Sequence, residues 1–402
     1  MKWTRRQVLR AGGAGAAAVL LGPLRGARAA PQPDRRFLVV VNLLGGNDGL
    51  NTVAPRDLAP YFERRPTLAL RDTLDMGNGA GLHPALDGVH ALWGRGEMHL
   101  VHGVGYPDAN LSHFLSQDVY SLGVREAGNA DGRGWLGRLA DAHGADPLAV
   151  IAVGTGRRAD FLARRNGALV LGDVEGFRIH HDQDSIQDHL LRVARSRRIL
   201  EREAPPPEGP AGTAYAAARN AHELVERVQA GTAGWDDPGL YPPTGLGRYL
   251  RAVSRLLSGD FGTRVYYTAL GGFDTHANQA TRHEALLREL DDALAAFAED
   301  LRRRGRWKDC TVVCISEFGR RNGENGSLGT DHGHGNTFLV LGGGVRGGVT
   351  GAVDEADLLG DQPPMRYDFR DLYAHLMERH LSLDPGPVFP EPFARSGELA
   401  LL

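Results

Sequence analysis

Five short stretches of this 402-residue chain carry the side chains best suited to holding a metal ion or attacking an ester. GGNDGLN (45–51) contains Asp48, and NLSHF (110–114) sets Ser112 beside His113. GGFDTH (271–276) contains Asp274 and His276. SEFGR (316–320) and GTDHGHG (329–335) supply Glu317, Arg320, Asp331, His332 and His334. Carboxylates and imidazoles together suit zinc, manganese or a similar divalent ion. Such an ion lowers the pKa of water, or activates a serine, and neutralises a phosphoryl or sulfuryl oxygen. The glycines of DHGHG pack poorly and leave both imidazoles bare. Ser112 opens a helix, where backbone N–H groups aim at an anion. Each stretch alone also has a plainer reading: GGNDG as a turn, Ser112 as a helix cap, Asp274-Thr-His as another. His180, His181 and Asp182 read as a solvated loop.

These residues need a frame that brings distant loops together. The apolar run FLVVVNLL (37–44) reads as a central strand buried on both faces. Further strand signals fall at 98–102, 148–153, 264–270, 310–316 and 337–341, most ending in glycine. A helix is predicted from a Thr281/Glu284 capping box, with Leu287, Leu290, Leu294, Phe297 and Leu301 on one face and a stop at Gly305. A second carries Tyr249, Leu250, Val253, Leu256 and Leu257. Strands alternating with helices predict a doubly wound α/β fold with a mostly parallel central sheet, which collects its loops at the carboxyl edge. Residues 154–243, with a proline run at 205–210, read as a helical insertion or cap within a single domain spanning 30–402.

Composition excludes several classes. Cys310 and Cys314 are the only cysteines, too far apart along one strand to bridge, so a disulfide scaffold is out. Of 46 basic residues only Lys2 and Lys308 are lysine, and neither follows a glycine-rich loop, which excludes a P-loop. Residues 1–29 hold twin arginines (Arg5, Arg6), an apolar stretch and Ala27-Arg28-Ala29, the plan of a cleaved export signal similar to those of the twin-arginine pathway. They contain six basic residues and no acid, so the rest of the chain carries 40 basic against 49 acidic residues, a formal charge of −9. An acidic chain without a basic stripe is a poor nucleic-acid binder. No stretch outside the leader is long and apolar enough to span a bilayer. The expected location is the periplasm or the exterior.

The stretches GGNDGLNTVAP (45–55), SHFLSQD (112–118), GWLGRL (134–139), FDTHANQ (273–279), SEFGRRNGENGSLGTDHGHG (316–335) and GGGVRGGVTG (342–351) resemble domain-of-unknown-function family 1501. That is a group of exported bacterial proteins placed by similarity in the alkaline phosphatase and sulfatase superfamily. The resemblance implies an alkaline phosphatase-like fold and a metal site built from Asp48, Asp274, His276, Glu317 and His332 or His334. It also implies Ser112 as nucleophile, with Arg320 clamping an anionic oxygen. Three features depart from the superfamily pattern. The first pair is Asp-x-His rather than more widely spaced; Glu317 is followed by Phe318 where the pattern has Asp-His; and the first loop offers both Asn47 and Asp48. One imidazole is thus missing, with His113 as a candidate replacement, and a two-ion site could be reduced to one ion or none. The resemblance therefore implies an exported hydrolase or transferase for an anionic phosphate or sulfate ester, using one or two divalent ions, zinc or manganese. The alternative is a non-catalytic binding or envelope-assembly protein that keeps the fold. Substrate and oligomeric state are not readable from the residues.

Overall fold

A computed structural model describes residues 19–21, 35–77, 79–129, 131–144, 146–156, 158–172, 220 and 223–402. Its centre is a ten-stranded sheet. The strands are β1 (Val19–Leu21), β2 (Phe37–Leu44), β3 (Met98–Gly105), β4 (Val150–Val153), β5 (Asn166–Leu171), β6 (Val265–Gly271), β7 (Cys310–Ile315), β8 (Asn336–Leu341), β9 (Gly348–Thr350) and β10 (Tyr367–Asp368). In space they run β1-β5-β4-β6-β2-β7-β8-β3-β9, with β10 also on β3. Only β1 and β8 run against the rest.

Strand β2 shows why the sheet is wound on both sides. Phe37, Val39, Val41 and Leu43 face one core, while Leu38 and Val40 face the other. Helix α1 (Ala59–Arg64) packs in a small third cluster, and the first core receives helices α2 (Asp87–Gly94), α5 (Gly245–Leu257) and α6 (Gln279–Arg303). The second receives α3 (His113–Leu122), α4 (Trp135–His143) and α7 (Phe369–His375). A strand apolar on both faces cannot rest until both are covered, and each buried Val or Leu contributes roughly 1.5–3 kcal/mol. Asn42, the one polar residue of β2, donates to the Tyr267 hydroxyl at 2.8 Å, so its burial is partly compensated.

Two local expectations change. The capping box at Thr281 and Glu284 does not form, because α6 begins two residues earlier, at Gln279, after a left-handed Asn278. The Asn278 and Gln279 amides donate instead to Ser327 and Leu328 carbonyls, so a tertiary contact replaces the local cap. The helical insertion expected from 154 contains strand β5, whose alternation is too short to stand out but which pairs in parallel with β4. Residues 173–219 and 221–222 of that insertion lie outside the described residues, as do the proline run and His180, His181 and Asp182, while 223–232 are helical. So does the leader, apart from the backbone of 19–21. Among the described residues no helix is long and apolar enough to cross a membrane.

Candidate metal centre

Because β2, β3, β6 and β7 are parallel, their carboxyl ends share one edge; β8 runs the other way and begins there. The loops after β2 (45–48), β3 (106–112), β6 (272–278) and β7 (316–320) meet there with residues 330–335 leading into β8, as expected of a topological switch region. Backbones approach very closely. Gly45 has φ +118°, and a Cβ there would lie 2.4 Å from the Asp274 amide nitrogen. A side chain is excluded on both counts.

Four side chains converge. Asp274 Oδ1 lies 3.1 Å from His276 Nε2, 3.3 Å from His113 Nε2 and 3.5 Å from His332 Nε2. The His276 and His332 Nε2 atoms are 2.8 Å apart. Each imidazole is oriented from behind through Nδ1. His113 Nδ1 donates to Glu317 Oε1 at 2.8 Å, His276 Nδ1 to Asp331 Oδ1 at 3.2 Å, and His332 Nδ1 to the Leu111 carbonyl at 2.8 Å. Carboxylates and carbonyls only accept, so Nδ1 carries the proton in all three rings. The rings therefore turn their Nε2 atoms inward, toward one another and toward Asp274. The Phe318 ring lies 4.7 Å from His113 and 4.5 Å from His332 between centroids and holds both in place. The residue that breaks the expected Asp-His pair is thus a packing platform.

The charges follow from this geometry. Burial opposes ionisation of Asp274, but the hydrogen bond and charge of Arg320, with His113 and His276, bring its pKa down to about 2. The Glu317 hydrogen bond raises the His113 pKa against partial burial. Burial lowers that of His332, with the Leu111 carbonyl pulling the other way. Glu317 is itself buried, yet donors on His113 and Gln117 hold its carboxyl below the usual range.

These residues fit a divalent cation. Ligands about 2.0–2.1 Å from a tetrahedral ion stand roughly 3.3 Å apart, close to the spacings here. His113, Asp274 and His332 offer ligand atoms all within 4.8 Å of one another. His113 Nε2 is buried without a hydrogen-bond partner, as expected of an atom meant for a ligand. Carboxylate-backed and carbonyl-backed imidazoles are the usual outer shell of such sites. Asp274 and His276 remain nearly half exposed, leaving an open side.

The other expected residues lie elsewhere. Asp48, only 1% exposed, accepts from Leu50 N, Asn51 N, Arg65 Nη1 and Gln279 Nε2. Its side chain is filled by these partners, and Arg65 supplies the positive charge. Burial works against the Asp48 carboxylate, but Arg65 holds its pKa below the normal value. Glu317 stands behind His113 rather than beside Asp274, and its Oε1 also accepts from Gly45 N and Gln117 Nε2. Arg320 is buried and bonds the carbonyls of Gly45, Gly46, Phe273 and Thr330 as well as Asp274. It ties three loops together and is not a free anion clamp. None of the site contacts involves the His334 imidazole. Ser112 caps α3 without a side-chain capping bond, between Leu111, bonded to His332, and His113, bonded to Glu317. His113 enters the cluster. Arg65 and Gln279 were not foreseen: Arg65 is 17 residues from its partner Asp48, and no local spacing betrays it.

Residues 250–400 match the family described as "Protein of unknown function (DUF1501)", in line with the resemblance over that stretch. No curated protein matches the chain. Among solved structures, a protein in the alkaline phosphatase superfamily from Vibrio parahaemolyticus is 11% identical, covering 91% of this chain and 72% of its own, at a TM-score of 0.39. The lipoteichoic acid synthase LtaP from Listeria monocytogenes is 10% identical, covering 92% and 76%, at 0.37. The PsFucS1 sulfatase from Pseudoalteromonas sp. is 9% identical, covering 80% and 66%, at 0.34. Likeness this distant says nothing of what this chain binds or does.

Proposed function

We propose that the protein is an exported, metal-dependent hydrolase or transferase acting on a phosphate or sulfate ester, with Ser112 as nucleophile. One observation carries this reading: the Nε2 atoms of His113, His276 and His332 converge on Asp274 Oδ1. A single divalent cation, zinc or manganese, would be held by these four residues. Bound there, it would lower the pKa of a serine hydroxyl or water and neutralise charge on the ester oxygens. The residues around it have distinct tasks. Glu317, Asp331 and the Leu111 carbonyl keep the imidazoles in the ligating tautomer. Arg320 keeps Asp274 ionised and fixed. Ser112 is the N-cap of α3, beside first-turn N–H groups that favour an anion.

The test is elemental analysis of the exported protein, never exposed to chelator, followed by an aryl phosphate, phosphodiester and aryl sulfate panel. About one equivalent of metal and turnover lost in Ser112→Ala are expected. Full turnover in both Ser112→Ala and Asp274→Ala would sink the proposal. Amino-terminal sequencing of the same material tests removal of residues 1–29.

A second reading, a non-catalytic envelope binding protein that keeps the fold, is favoured by the engagement of Asp48 and Arg320 in structural contacts. Metal bound without turnover of any ester would favour it.

A further inference from the structure

We infer that Gln279 is a positioning residue that sets the metal centre's geometry by joining three loops through one buried amide. This rests on the metal-site reading above. Gln279 is fully buried at the first position of α6. Its Nε2 donates to Asp48 Oδ2 at 2.5 Å. Its Oε1 accepts from the hydroxyls of Thr275 at 3.0 Å and Thr330 at 2.6 Å. Thr275 stands between Asp274 and His276, and Thr330 directly precedes Asp331 and His332. One amide therefore joins the loop after β2 to two of the three segments that deliver ligand atoms.

The polarity of the amide is fixed. Asp48 is an ionised acceptor held by Arg65, so Gln279 must present its N–H to it and its oxygen to the two hydroxyls. Turning the amide over would set oxygen against carboxylate. The Thr330 amide adds a direct bond to the Thr275 carbonyl at 3.3 Å, so these two of the three ligand segments are bridged by backbone and by Gln279. Imidazoles that meet at 2.8 Å tolerate little drift, because a shift of a few tenths of an ångström changes which atoms can share one cation. Gln279 touches neither the cation position nor Ser112 among the described contacts, so its effect must pass through Thr275 and Thr330.

The experiment measures zinc and manganese affinity of the full purified chain by titration calorimetry, together with the melting temperature of the metal-free protein. Gln279→Met keeps the bulk and removes all three bonds. Thr275→Val and Thr330→Val each remove one hydroxyl while leaving Gln279 on Asp48, so they remain informative if Gln279→Met fails to fold. Metal dissociation constants are expected to rise about 10–100-fold in Gln279→Met, the usual loss for an outer-shell partner. The threonine variants should lose less, and should lose nothing further when added to Gln279→Met. Unchanged affinity with a lowered melting temperature would overturn the inference and leave the metal reading standing. Failure of the wild-type chain to bind either metal would overturn both.

Discussion

His276 and His332 meet Nε2 to Nε2 at 2.8 Å, although each ring keeps its proton on the far nitrogen, against Asp331 and the Leu111 carbonyl. Two imidazole lone pairs at that separation repel unless a cation lies between them. A shared proton would satisfy the pair alone. It would not involve His113 Nε2, which faces the same Asp274 Oδ1 at 3.3 Å. On the proposed reading, a divalent cation held by His113, Asp274 and His332 would sit beside this pair.

Metal content should accordingly depend on Asp274 more than on any other carboxylate. Asp274→Ala is expected to weaken binding by more than about 100-fold, beyond the usual outer-shell loss. His334→Ala, whose ring makes none of the site contacts, should bind as the wild type does. Competition with a fluorescent zinc chelator reads both, and equal loss in the two variants would contradict the assignment.

Ser112→Ala should separate binding from chemistry. Its side chain makes no capping bond, so α3 is expected to be little affected and metal affinity to stay within about 2-fold. Ester turnover should fall by at least about 100-fold. Turnover retained with metal bound would assign the attack to water instead.

Arg65→Met should be severely destabilising. Arg65 and Asp48 are both essentially unexposed, and removing the cation leaves a buried carboxylate without its counter-charge. Breaking such a pair costs about 3–5 kcal/mol. Urea unfolding is the measurement, and a loss below about 1 kcal/mol would mean that water reaches Asp48.

Acid should destabilise the fold through two buried histidines. Burial brings the pKa of His102 and His283 from 6.5 down to about 4. A histidine with a lowered folded-state pKa takes up protons more readily when unfolded, so its stabilisation is complete above pH 6.5 and is lost as pH falls toward 4. Each histidine contributes on the order of 3 kcal/mol over that window. Asp291, raised by burial to about 6, opposes the trend, because its protonation on acidification favours the folded state. Unfolding of His102→Gln at pH 7 and pH 4.5 should show a clearly smaller loss than the wild type.

Much of the frame was legible. Six strands of the sheet, β2, β3, β4, β6, β7 and β8, were visible because a strand covered on both faces must be continuously apolar, whereas β5 was not. Capping was less legible: Thr281 and Glu284 have the right spacing, yet α6 starts at Gln279 because Ser327 and Leu328, about fifty residues away, take the amides that a local cap would have taken.

The sequence alone determined which residues could do chemistry and that a parallel sheet would gather them: Asp274, His276 and His332 are near one another for that reason. It could not assign roles within the gathering. A buried carboxylate is a ligand or a structural anchor according to which donors reach it first. Those donors come from elsewhere in the chain: Arg65 and Gln279 to Asp48, His113 to Glu317, and the loop carbonyls that occupy Arg320. Local periodicity carries no record of contacts between residues that are, in three of these cases, more than two hundred positions apart. Only the tertiary structure, by satisfying each buried charge with a particular partner, set three imidazoles around one carboxylate oxygen.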